Sequence, residues 1–230
     1  MSSILITGAS SGIGAATAAE LAEPGRTLLL TGRDAEALAG VAATVRERGG
    51  DAEAHVADLS NDGEVARLAE AMPDALDGVI HSAGVARLGD QASLDVADLD
   101  LQWTVNVRAP FLLTQALLPR VRKARGLIVF VNSGAGQRAR GGWGGYAASK
   151  FALRALADSL RDEEAEHGVR VASVYPGRVA TPMQRSVRRQ EGGDYRAEDY
   201  LAPEVVARVI GDVVRTPPPA TVPDVSVRSG

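Results

Sequence analysis

The stretch Ser3-Ile4-Leu5-Ile6-Thr7-Gly8-Ala9-Ser10-Ser11-Gly12-Ile13-Gly14 decides the fold. Its first five residues are a short apolar run that reads as a buried strand. The alanine-rich residues 15–22 that follow it form helices readily. Strand, glycine turn and helix in that order aim backbone N–H groups and a helix N-terminus at a phosphate. Gly8 permits the tight turn, and Gly12 and Gly14 let a ligand reach the backbone with no Cβ between them. Ser10 and Ser11 add hydroxyl donors, and Ile13 lies inside the turn. The spacing is G-x-x-x-G-x-G, not the commoner G-x-G-x-x-G. A Gly/Ser turn capping a helix uses the same residue types. The position, directly after a strand and at the mouth of a helix, favours a phosphate.

The same alternation continues along the chain. Strands are expected near 3–7, 27–31, 53–57, 78–81, 127–132, 169–175 and 221–227. Helices are expected near 12–23, 34–49, 61–71, 97–118, 144–167 and 203–215. Most strands are apolar without alternation, as strands covered on both faces are. The pattern predicts an α/β fold, a Rossmann-like, doubly wound parallel sheet of about seven strands in one domain over residues 1–230. Right-handed crossovers follow from that topology. No repeat of solenoid period is present. The segment Thr216-Pro217-Pro218-Pro219-Ala220 reads as a stiff lead into the last strand.

Composition excludes several functions. Of 230 residues, 45% are apolar and 23% charged, and the net charge is −4, so no global basic field points to nucleic acid or an anionic membrane. The apolar runs are too short to span a bilayer, and no basic-then-apolar leader precedes the first strand, so the cytoplasm is the expected location. The absence of cysteine removes disulfides, thiolate metal sites and thiol catalysis. The three histidines, His55, His81 and His167, have no metal-ligand spacing, and no metal is expected.

The chemistry gathers in the second half. Tyr146 and Lys150, in Tyr146-Ala147-Ala148-Ser149-Lys150, lie one helical turn apart on one face. A phenol has a pKa of about 10, and an ammonium nearby favours the phenolate. The pair can therefore act as a general acid or base. Ser133 ends a strand in Phe130-Val131-Asn132-Ser133-Gly134, where open parallel sheets gather their active sites. Its hydroxyl can hold a carbonyl oxygen and the alkoxide developing from it. Asn106, in Thr104-Val105-Asn106-Val107, is a poor helix former in mid-helix, which suggests a polar task.

Together the glycine turn, Asn106, Ser133 and the Tyr146/Lys150 pair resemble the short-chain dehydrogenase/reductase family. The likeness runs in order and at the usual spacings from residue 3 to about residue 183. It implies a nicotinamide cofactor, with Lys150 also bonded to the nicotinamide ribose and Asn106 ordering a water that leads protons to the lysine. It makes Asp58, followed by Leu59, an acceptor for the adenine amino group, although Asp58 also suits an Asx turn and Ser60 or Asn61 a helix cap. It implies contacts near the carboxamide from the Val179 backbone and the Thr181 hydroxyl, after Pro176-Gly177. His81-Ser82-Ala83-Gly84 stands where the family has Asn-Asn-Ala-Gly. Ala83 and Gly84 match and both asparagines are missing, which bears on local rigidity. Ser82 keeps one hydroxyl. His81, at a strand end, reads as structural.

Cofactor choice turns on the end of the second strand. The family's NAD-selecting acid falls at Gly32, and Arg33 follows. An arginine there suits a 2′-phosphate, and Gly32 leaves room for it, so NADP(H) is preferred and NAD(H) is the lesser expectation. Asp34 is assigned to capping the next helix. Substrate recognition is expected from 85–87, 137–143 and a polar, mobile lid at 184–200 with Arg185, Arg188, Arg189 and Arg196. Gly-rich flanks suggest that Trp143 is a mobile aromatic wall. The resemblance also implies a homodimer or homotetramer paired through helices 97–118 and 144–167. The expected function is NADP(H)-dependent interconversion of a carbonyl and an alcohol on a small-molecule substrate. An NADP(H)-binding sensor or scaffold with little turnover is the alternative from another class.

Overall fold

The computed structural model describes residues 2–229. In chain order its strands and α-helices are β1 (Ser2–Thr7), α1 (Gly12–Leu21), β2 (Arg26–Gly32), α2 (Ala35–Glu47), β3 (Asp51–Val56), α3 (Asp62–Glu70), β4 (Gly78–His81), α4 (Val96–Trp103), α5 (Ala109–Ala124), β5 (Leu127–Val131), α6 (Gly144–Glu164), β6 (Arg170–Pro176), α7 (Pro182–Gln190), α8 (Pro203–Arg215) and β7 (Asp224–Val227). The strands make one sheet in the order β3-β2-β1-β4-β5-β6-β7, and every pairing is parallel. The order reverses between β1 and β4. At such a switch point the chains leave in opposite directions and open a crevice at the strand C-termini.

Side chains alternate across the strands and sort into two cores. Ile4, Ile6, Leu28, Leu30 and Val129 pack with Ala18 and Leu21 of α1, Leu38 of α2 and Val206 and Ile210 of α8. Leu5, Leu29, Val79, Ile128 and Phe130 face the other way, onto Val65 of α3, Leu113 and Leu117 of α5 and Leu153 of α6. The sheet is therefore covered on both faces, which explains why its central strands lack a polar alternation.

The expected elements are present with moved ends. Asp34 caps α2, its side chain accepting from Ala37 N at 3.0 Å, and Asn61 caps α3 in the same manner. The expected helix over 97–118 is instead α4, a π-helical turn at Thr104–Arg108 and α5, which runs past Pro119 to Ala124. The π turn holds Asn106, so the mid-helix asparagine coincides with a local change of winding. The segment 184–200, expected as a polar lid, is partly regular. Most of its first half is α7, capped by Thr181, and Leu201 bridges back to Val179. Among the described residues no helix is long and apolar enough to cross a membrane.

The glycine turn is dictated by contact. Gly8 has φ +66°, and a Cβ there would stand 2.7 Å from Ala83 Cα. A Cβ on Gly14 would overlap the Gly8 carbonyl oxygen and lie 2.7 Å from its carbon. Gly14→Ala is expected to destabilise the protein by about 1–3 kcal/mol, as overpacking does. A melting temperature equal to that of the unaltered chain would show that the turn accommodates a methyl group.

Candidate active site

The crevice at the switch point holds two cavities with a shared wall. The first, of about 370 Å³, is lined by Gly8, Ser10, Ser11, Gly12, Ile13, Gly14, Arg33, Asp58, Leu59 and the start of the chain leaving β4. The second, of about 640 Å³, is lined by Ser133, Tyr146, Lys150, Pro176, Gly177 and Val179. Ser82, Gly84 and Thr181 line both. The structure thus brings the expected binding residues from Gly8 to Gly84 to one groove, and Pro176, Gly177 and Val179 with Ser133, Tyr146 and Lys150 to the cavity that continues it.

The first cavity suits a phosphate-bearing ligand. Ser11 stands at the N-cap of α1, yet its side chain makes no capping hydrogen bond, and the first turn of α1 carries no acid. Free N–H groups and a free hydroxyl therefore meet the groove at the positive end of the helix dipole. Arg33 is exposed and has no ion pair among the described residues. A Cβ on Gly32 would stand 2.9 Å from Ser10 Oγ, so an acidic side chain there would crowd the turn. Asp58 accepts from the Ser60 N–H at 2.9 Å and from the Ser60 hydroxyl at 2.8 Å, which forms an Asx turn. Those bonds, the backbone one foremost, and more weakly Arg33, hold its carboxyl below the usual value. The turn and a place in the groove wall are compatible, since one carboxylate has more than two acceptor sites.

Where the family's asparagines are missing, Thr7 serves. Its Oγ1 accepts from Ser82 N and Ala83 N, both at 3.1 Å, and ties the exit of β4 to the end of β1. The loss of two amides therefore leaves the segment held. His81 beside it is structural, as expected. Its ring stacks on Phe130 at 5.0 Å and pairs with Thr114 Oγ1 at 2.9 Å.

In the second cavity α6 presents Tyr146 and Lys150 from its first two turns, both buried. Ser133 Oγ accepts from Ala135 N at 3.1 Å, so its own proton is left to face the Tyr146 phenol or a ligand between them. Lys150 Nζ donates to Val131 O at 3.2 Å and stands 6.0 Å from the centroid of the Tyr146 ring. Burial pushes the ammonium down to about 8. The sequence argument expected Lys150 to depress the phenol. In the structure burial dominates and raises Tyr146, with the Ser133 hydroxyl acting in the opposite sense. A buried phenolate lacks hydration, and an ammonium at this distance does not make up for it.

Ser149 and Asn132, which have no role in the sequence reading, hold this geometry together with Asn106. Asn106 Oδ1 accepts from Val85 N at 2.8 Å, and its Nδ2 donates to Val85 O at 2.9 Å and to Ser149 Oγ at 3.0 Å. Ser149 in turn donates to Tyr146 O at 2.7 Å. Asn132 Nδ2 donates to Lys150 O at 3.1 Å, while its Oδ1 accepts from Ser133 N at 2.9 Å. Small polar residues adjacent to the reactive ones were the available signal. The Asn106 amide is committed to backbone and Ser149 rather than directed at Lys150. Thr181 likewise spends its hydroxyl on Val179 O and Gln184 N, both at 3.2 Å.

A profile described as short chain dehydrogenase matches residues 2–192. The chain belongs to the short-chain dehydrogenase family. It is 39% identical over 194 residues to the uncharacterized oxidoreductase YciK of Escherichia coli K12, covering 80% of this chain and 75% of that one. It is 33% identical to a sepiapterin reductase of Chlorobaculum tepidum, covering 89% and 88%. A metagenomic short-chain oxidoreductase crystallised with NADP superposes with a TM-score of 0.85 at 32% identity, over 100% of this chain and 97% of that one. The chain is an oxidoreductase of this family, with the family's parallel sheet.

The surroundings of Trp143 differ from the expected mobile wall. The indole meets Tyr146 edge-on at 5.9 Å, and the Arg140 guanidinium covers it at 3.9 Å. Of the flanking glycines only Gly145 is a packing site, since a Cβ there would lie 2.7 Å from Leu94 Cδ2; Gly141 and Gly144 have room, and Gly142 has φ +71°.

His81 carries a pH signature for this family member. Burial lowers its pKa to about 3, against about 6.5 when unfolded. Below pH 6.5 the unfolded chain binds a proton that the folded one refuses, so stability is full above that pH and falls as pH drops. The expected slope from this group is about 1.4 kcal/mol per pH unit. Denaturant titrations of the wild type and His81→Gln between pH 6.5 and 4.5 test it, and equal slopes would refute the assignment.

Proposed function

We propose that the chain is an NADP(H)-dependent oxidoreductase that interconverts a carbonyl and an alcohol, with Tyr146 as general acid and base. The observation that carries this reading is the continuity of the glycine-turn groove with the cavity holding Ser133, Tyr146 and Lys150. Nucleotide and reacting groups then share one crevice. The glycines fit such a ligand, because the space a Cβ would fill at Gly12 is bounded by Thr181 and the turn's N–H groups stay uncovered. Gly8, Ser10, Ser11, Gly12, Ile13 and Gly14 would hold the pyrophosphate. Arg33 would hold the 2′-phosphate, Asp58 and Leu59 the adenine side, and Ser82 to Gly84, Lys150, Pro176, Gly177, Val179 and Thr181 the nicotinamide side. When bound, the nicotinamide supplies a hydride to the carbonyl carbon or accepts one in the reverse direction.

The protein's own residues handle the oxygen. Ser133 donates its free proton to the carbonyl oxygen and polarises it. Tyr146 transfers the phenolic proton to the same oxygen as negative charge builds there. The buried phenolate left behind is costly, which gives Lys150 its task. Near pH 7 an ammonium with a value of about 8 is still mostly protonated and offsets that charge. Asn106 and Ser149 keep α6 in place while this happens. Several superposing structures are NADP complexes, including the metagenomic oxidoreductase, and this supports NADP(H) over NAD(H). Trp103, Phe111 and Phe151, between 40% and 48% exposed on α4, α5 and α6, support self-association through those helices.

Tyr146→Phe is expected to lower kcat for carbonyl reduction by about a hundredfold or more with NADPH binding retained. A variant that turns over at the wild-type rate would remove the phenol from the mechanism and leave a nucleotide binder as the better account. Arg33→Ser should cut the preference for NADPH over NADH by about tenfold, the worth of one charge-assisted contact. An unchanged ratio of the two kcat/KM values would place the 2′-phosphate elsewhere.

A further inference from the structure

The wall of the reacting cavity has an unusual charge balance. Arg138, Arg140, Arg178, Arg228 and Lys150 all line it, and no Asp or Glu does. The chain as a whole is acidic, with a net charge of −4. Arg138, Arg140 and Arg228 are exposed, so this one-signed lining stands at the solvent-facing rim of the cavity, where it attracts counter-ions of the opposite sign. Lys150 is accounted for by Tyr146. The four arginines are not, since neither the glycine turn nor the carbonyl chemistry uses them.

Their partners leave an excess. Glu191, behind the wall, takes Arg178 through both guanidinium nitrogens and Arg188 at 2.8 Å, and Arg140 reaches it only at 3.6 Å. One carboxylate therefore serves three guanidinium groups. Partial burial, and then the charge of Arg178, both act against the positive charge on Arg140, with Glu191 only partly opposing them. Arg228 bonds the neutral Gln137 amide at 2.8 Å, and Arg138 has no ion pair among the described residues. Of the arginines in the 184–200 segment, Arg185 lies over the Tyr195 ring at 5.0 Å, and Arg196 pairs with Asp199 at 3.0 Å. The cationic surplus belongs to the chain that follows β5, β6 and β7, and its Arg138 and Arg140 come from the segment between Ser133 and Tyr146.

Position turns the surplus into a specificity. Arg140 sits on one face of Trp143, whose edge meets Tyr146. A group held by Arg140 is thus one indole away from the phenol. We propose that the substrate is a carbonyl compound that also bears an anionic oxygen group, carboxylate or phosphate, received by Arg138 and Arg140 while its carbonyl lies at Ser133 and Tyr146. The inference rests on the carbonyl-reductase reading and adds the substrate class. Trp143 provides a flat wall for the spacer between the two ends, and guanidinium forks match the paired oxygens of such anions.

The test uses three aldehydes of one shape with NADPH: 4-carboxybenzaldehyde, 4-formylphenyl phosphate and the neutral methyl 4-formylbenzoate. At low ionic strength the wild type is expected to favour at least one anion over the ester by about tenfold or more in kcat/KM, mostly through KM. Added salt should shrink that ratio, and Arg138→Gln/Arg140→Gln should bring it near one, with Arg140→Lys recovering part of it. The two anions distinguish carboxylate from phosphate recognition. Equal or better use of the ester by the wild type would overturn the proposal. Should no aldehyde be reduced, the reductase reading fails separately, and calorimetry with terephthalate and phenyl phosphate decides this one. Binding of either that the double glutamine variant weakens about tenfold or more upholds the anion site, and no binding of either overturns it.

Discussion

The buried amide of Asn106 holds three elements in one place. It takes the backbone of Val85, on the chain leaving β4, with both its ends, and it donates to Ser149 on α6. Leaving any of these groups unpaired in the interior would cost far more than the bonds contribute on balance. The constraint runs from there to the chemistry. Ser149 fixes the carbonyl of Tyr146, and Asn132 fixes that of Lys150 while orienting Ser133. The π turn at Thr104–Arg108 belongs to the same arrangement, because one widened turn brings the amide to Val85 and Ser149 without breaking the helical run from α4 to α5.

Burial sets the acid–base character of the reacting groups. The same desolvation moves Tyr146 up, Lys150 down to about 8 and His81 down to about 3. In each case the neutral form gains. Tyr146 is thus kept as a proton donor, Lys150 is brought near neutrality, and His81 is retired to packing against Phe130. In the proposed reaction the phenol needs help only while charge is developing, which separates a resting site from a reacting one.

The fold was legible because parallel sheets advertise themselves. Ile4, Leu5 and Ile6 are all apolar since the two cores claim alternate side chains, and the strand–turn–helix order followed directly. The glycine turn, Ser133, Tyr146 and Lys150 were legible as spacings. Asp34 could be separated from cofactor selection by its N-cap position alone. Other features were hidden because they depend on distant contacts. Thr7 holds the backbone of Ser82 and Ala83 only because β1 and β4 are neighbours in space. Gly145, beside Trp143, reads as loop flexibility and is a close-packing site. The arginines of 184–200 read as a polar lid, while the pairing of Arg188 with Glu191 and the capping of α7 by Thr181 require coordinates.

The near-contact of Gly8 with the Ala83 backbone has a consequence for how this chain can vary. Because a side chain at 8 would strike main-chain atoms rather than a movable side chain, no change at position 83 can make room for it. The floor of the nucleotide crevice is therefore closed to incremental redesign, and a library that randomises Gly8 would be dominated by misfolded members. The rim at Gly32 and Arg33 is different. There the obstacle is the Ser10 hydroxyl, a side-chain atom that a paired substitution can shorten. Adaptation to a different dinucleotide should proceed through coupled changes at 10, 32 and 33, with the floor inherited intact.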